Sequence, residues 1–135
     1  MAGVWMDAGL TEEVSAIETE INSVGWTVHL YTNAHTPATT DVLGDYTEAT
    51  FGGYASQPFY PPVDGGVVAN HVDITSNPLS FAATGAGLPQ TVIGYYITDS
   101  GGTILKAAEE FPSPITFTNA GDTLAGTVIE TLSRV

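Results

Sequence analysis

The first long hydrophobic pattern along the chain is helical. Val14, Ile17, Ile21 and Val24 recur on one face while Glu13, Glu18 and Glu20 occupy the other, which predicts a helix over 11–24. Thr11 is placed to cap it, Glu12 and Glu13 suit its positive end, and Gly25 is placed to stop it. After Gly25 the period changes to two. Trp26, Val28 and Leu30 alternate with Thr27, His29 and Tyr31, predicting a strand over 26–32. Further strands are predicted over 66–74, 79–83, 90–98, 103–110, 115–118 and 124–133. Asp99-Ser100-Gly101-Gly102 reads as a hairpin turn and Asn119–Asp122 as a second turn.

Between these elements lie a polar loop over 33–44, a short helical turn expected over 47–51 with Thr47 as cap, and a stiff extended run, Pro58–Pro62. Short strands at this spacing predict a mainly β fold, an antiparallel β-sandwich or small barrel with one N-terminal helix packed on it. Residues 1–9, small and apolar around Trp5, are expected to form an N-terminal arm, and 10–135 a single β-rich domain. No internal repeat or low-complexity linker divides the chain. Its 43% hydrophobic content is enough for a packed core, so the chain is expected to fold.

Charge narrows the partners. Lys106 and Arg134 are the only basic residues against fifteen carboxylates, a formal net charge of −13. Two cations cannot neutralise the phosphates that nucleic-acid binding engages, nor dock a chain on an anionic membrane, so neither partner is expected. A self-repelling soluble surface would explain the charge, as would a partner with basic patches or bound Ca²⁺. There are no cysteines, hence no disulfide or thiolate metal site. No apolar run reaches the roughly 18 residues that span a bilayer. The MAGVWMDAG start lacks a basic region and signal core, so synthesis in the cytoplasm is the expectation.

Candidate chemistry is sparse. His29, His35 and His71 show no paired metal-ligand spacing. Asp41, Asp45 and Glu48 share one stretch, and Asp64, Asp73, Asp99 and Asp122 fall near turns, where Asx-type hydrogen bonds account for them. Ser80, Ser100 and Ser133 have no nucleophile elbow, and no glycine group precedes a lysine as a phosphate loop would. The expectation is therefore a non-enzyme without cofactor or metal. Among the aromatics, Tyr95 and Tyr96 are adjacent on one strand, so one is expected to face outward. Trp5, Phe59, Tyr60 and Tyr96 are the candidate interface residues, because exposed aromatics anchor interfaces.

Five stretches carry a resemblance: His29–Pro37 (HLYTNAHTP), Asp45–Ala55 (DYTEATFGGYA), Gly94–Thr103 (GYYITDSGGT), Ala108–Phe111 (AEEF) and Pro114–Leu124 (PITFTNAGDTL). Together with the short N-terminal helix they resemble small tailed-phage virion proteins of the head-decoration, or cement, type. The resemblance implies a structural protein on the capsid surface that binds the major capsid protein, stabilises the shell without catalysis and assembles as a homotrimer. It assigns no functional residues, since the shared motifs are turn and core positions. Two alternatives stay open at this point: a tail- or fibre-associated module that binds host glycans, and a non-viral carbohydrate-binding or matrix protein. Stacking tyrosines would serve either.

Overall fold

A computed structural model describes residues 16–17, 19–21, 25–59, 63–68 and 71–133. Among the described residues nine strands follow in chain order: β1 Trp26–Tyr31, β2 Gln57–Phe59, β3 Val63–Val68, β4 His71–Thr75, β5 Leu79–Ala82, β6 Gln90–Asp99, β7 Leu105–Phe117, β8 Thr123–Gly126 and β9 Ile129–Ser133. They form a four-stranded sheet ordered β2-β1-β6-β7, a three-stranded sheet β3-β4-β9 and a two-stranded sheet β5-β8. The β1–β6, β6–β7, β3–β4 and β4–β9 pairings are all antiparallel. The fold is thus mainly β, with sandwich-like open sheets and, among the described residues, no closed barrel.

Contacts divide the chain into two compact units. One comprises Trp26–Pro58 and Ser80–Ala125; the other comprises the described parts of Met1–Gly25, Phe59–Leu79 and Gly126–Val135. In the second unit, Ala16, Ile17, Thr19, Glu20 and Ile21 are helical and Ile21 is buried. Gly25 ends this segment as expected, at φ 86° with its N–H on the Glu20 carbonyl at 3.3 Å. The rest of the predicted 11–24 helix, and the expected arm with Trp5, lie outside the described residues.

Four strand predictions are corrected. The strand expected over 66–74 is a hairpin, because β3 and β4 pair with the chain reversing between Val68 and His71. The strands expected over 103–110 and 115–118 are one, β7. Pro112 and Pro114 cannot donate to a ladder, and instead of ending the strand they fall where its register with β6 shifts, between the pairs Gly94↔Glu110 and Val92↔Ile115. The strand expected over 124–133 is two, in different sheets. The break is held by Ser76, whose N–H donates to the Val128 carbonyl at 2.8 Å and whose hydroxyl accepts the Val128 N–H at 2.9 Å.

The helical turn expected over 47–51 is also absent. Glu48 forms an antiparallel bridge with Tyr31, flanked by Thr32 N–H to Thr47 O and Ala49 N–H to Leu30 O, both 2.9 Å. Those bonds hold the segment extended along β1. A 3-10 turn occurs earlier, at Leu43–Asp45. Both predicted turns are present: Asp99 O accepts the Gly102 N–H at 3.1 Å, and Gly121, at φ 94°, sits in the turn that Asp122 closes on Asn119 O at 3.1 Å.

Candidate functional site

The polar loop after β1 folds over one face of the β1-β6-β7 sheet and is fastened there by its own short polar side chains. Asn33 bridges it, donating to Asp45 O at 2.8 Å and accepting from Thr47 N–H at 2.7 Å. The Asp45 carboxylate accepts the Val42 N–H at 2.8 Å. Asp41 is the hub. One carboxylate oxygen, Oδ2, lies 2.6 Å from the Tyr46 hydroxyl, 2.7 Å from His35 Nε2 and 2.9 Å from the Ala38 N–H. The Tyr46 hydroxyl, then the Ala38 amide and His35, hold the Asp41 carboxyl down at about 2.

Aromatic rings complete the cover. Tyr46 packs edge-on against Tyr31 at 5.1 Å and His35 at 5.0 Å, and tilted against Tyr96 at 5.3 Å. Tyr31, Tyr46 and Tyr96 form a buried cluster with Leu43, Ile93, Leu105 and Ala108 against it. Burial, then the charges of Glu110 and Asp41, pushes the Tyr31 phenol up to about 12. Burial, then the bond to Asp41, likewise raises Tyr46.

A second network borders the first. His29 stacks on Tyr96 with centroids 4.7 Å apart and planes 8° from parallel. Its Nδ1 is 2.8 Å from Glu48 Oε1 and its Nε2 is 2.9 Å from the Thr98 hydroxyl. Tyr54 donates to the same Glu48 oxygen at 2.8 Å while accepting the Leu30 N–H at 3.1 Å.

Of the expected interface residues, Phe59 is 0% exposed and Tyr96 is 4% exposed; Trp5 and Tyr60 lie outside the described residues. The alternation that was to leave one of Tyr95 and Tyr96 facing solvent fails, because both are buried. The loop covers the Tyr96 face, and Tyr95 turns its hydroxyl to Glu109 at 2.8 Å with Phe111 beside its ring. Neither Phe59 nor Tyr96 offers a surface ring.

Two features went unread in the sequence. His35, Asp41 and Asp45 each present a ligand atom within 4.8 Å of the others, one nitrogen and two oxygens, with Asp41 Oδ2 and His35 Nε2 already bonded to each other at 2.7 Å. Six and ten residues from His35 within a loop, they follow no helix or strand period, and only the density of His and Asp in the loop signals them. The second is a groove of about 340 Å³ between Pro37–Thr39, Asp41 and Tyr46 on one wall and Leu105–Ala108 on the other. Compared with known proteins, the chain matches no family model, no curated protein and no solved structure.

Proposed function

We propose that this chain is a non-catalytic virion protein of the head-decoration type, which binds the outer surface of a major capsid shell and stabilises it, as a homotrimer. The observation that carries the reading is the work done by the residues that bear the resemblance. His29–Pro37 and Asp45–Ala55 supply the end of β1, the loop fastening and the Tyr31↔Glu48 bridge. Within Gly94–Thr103, Asp99 holds its hairpin by accepting the Thr103 and Ile104 N–H groups at 2.7 and 2.9 Å. Within Pro114–Leu124, Asp122 accepts the Thr118 and Asn119 N–H groups, both at 2.8 Å. These backbone donors hold the carboxyls of Asp99 and Asp122 below the usual carboxylate range. In both turns the carboxylate is tied to backbone and serves to hold the chain's course. A net charge of −13 suits the chain's surface to basic patches on a protein shell.

The glycan-binding alternative calls for two or three coplanar aromatics beside a carboxylate in an open groove. In the groove beside Asp41 the lining aromatic is Tyr46, 7% exposed and bonded to that carboxylate, so a sugar would find little ring face to stack on. Co-sedimentation with shells of the phage that encodes the chain, assembled without it, tests the reading. Saturable binding to shells with no signal on a sugar array is expected; sugar binding without shell binding would replace the reading with its rival.

A further inference from the structure

One interruption of the β6–β7 ladder is large. Between the pairs Gly94↔Glu110 and Val92↔Ile115, β6 contributes one residue, Ile93, and β7 contributes four, 111–114. Four against one leaves three residues surplus to the pairing, and they form a bulge. Pro112, Ser113 and Pro114 are all exposed. Both ends of the bulge are tied down. Half-buried Phe111 lies beside Tyr95 with ring centroids 6.2 Å apart. Beyond the bulge, Thr116 pairs with Thr91 and their hydroxyls meet at 2.8 Å. The backbone between is stiff, because Pro112 and Pro114 fix their own φ and restrict Phe111 and Ser113 before them. Such a preformed knuckle loses little conformational freedom on binding.

What the knuckle can bind follows from its backbone and its charges. Pro112 and Pro114 have no N–H to offer, so the bulge is a poor template for an added strand. Contact falls to the side chains, two exposed pyrrolidine rings of the kind that pack into aromatic-lined clefts. Two exposed carboxylates precede them. Glu109 accepts the Tyr95 hydroxyl at 2.8 Å and Glu110 accepts the Thr36 hydroxyl at 3.0 Å, so neutral donors position both without cancelling their charge. Basic groups on a partner would meet that pair favourably, whereas a second copy of a chain carrying −13 would meet it with like charge. We infer that residues 109–114 dock this protein on its shell, the knuckle entering an aromatic cleft rimmed by lysine or arginine on the major capsid protein. The inference rests on the decoration reading and adds to it the contacting element and the chemistry of its receptor.

The test measures co-sedimentation of the intact chain with shells of the phage that encodes it, assembled without it, at low and high salt. Glu109→Gln with Glu110→Gln keeps acceptors for both hydroxyls and removes the charge. That variant is expected to bind about tenfold more weakly than wild type at low salt, with a smaller deficit at high salt. Pro112→Ala with Pro114→Ala, which removes the rings, is expected to weaken binding about tenfold at both salts. Because the chain has no cysteine, Ser113→Cys gives a single attachment point for a photo-crosslinker, with Ser80→Cys, exposed on β5, for comparison. Crosslinks to the major capsid protein are expected from position 113 and few or none from position 80. Suppose wild-type protein binds shells, yet either double variant binds equally well or position 113 crosslinks no more than position 80. Either result overturns the knuckle assignment and leaves the decoration reading standing. Wild-type protein that does not bind shells overturns the reading, and the inference with it.

Discussion

Tyr54 shows how one side chain joins three parts of the chain. Its hydroxyl accepts the N–H of Leu30, a residue 1% exposed, and donates to Glu48, which also meets His29. Tyr54→Phe keeps the ring and leaves the Leu30 donor without that acceptor, so urea denaturation is expected to show a loss of about 1–3 kcal/mol. Gly94 is a second such point. A Cβ there would lie 2.7 and 2.8 Å from Tyr31 Cε1 and Oη and would collide with the Glu109 carbonyl, which is backbone and cannot swing away. Gly94→Ala is therefore expected to cost about 1–3 kcal/mol or more by the same measurement. Asp41 gives a pH signature. Its carboxyl falls from an ordinary 3.8 to about 2 in the fold, so its contribution is present above about pH 4 and is lost as pH falls toward 2. Asp41→Asn is expected to lower the denaturation midpoint at neutral pH and to flatten the decline between those limits.

At the scale of elements, regular alternation was legible and long-range covering was not. The expected 26–32 strand is β1, the expected 90–98 strand is β6, and the Asp99 and Asn119–Asp122 turns stand where their residue types put them. These depend on local geometry. Whether the second face of β1 and β6 meets solvent depends on a loop that returns across the sheet, and no local period encodes that return. Tyr96 consequently became core, and His35, Asp41 and Asp45 converged unannounced. The break between β8 and β9 likewise comes from a distant residue, Ser76, and not from any strong turn signal at Thr127-Val128. Ser76 and Val128 are both buried, so Ser76→Ala would leave the Val128 N–H without its acceptor. A loss of about 1–3 kcal/mol is expected in denaturant, with slower-exchanging amides of β9 becoming less protected.

At the scale of the whole molecule, charge and aromatic burial act in opposite senses. Fifteen carboxylates against two cations repel one another across a chain of 135 residues. Backbone N–H groups hold several of those carboxylates in turns, and the tyrosine cluster anchors the loop that carries Asp41 and Asp45. On the proposed decoration reading, that surface would meet basic patches of a protein shell. Light scattering on the free chain is expected to give a mass near three times 14.0 kDa. The most direct test of shell stabilisation is the thermal disruption temperature of capsid shells with and without saturating protein. Bound protein is expected to raise that temperature, with Tyr54→Phe protein reproducing the rise once folded. Shells that bind the protein yet disrupt at an unchanged temperature would contradict it.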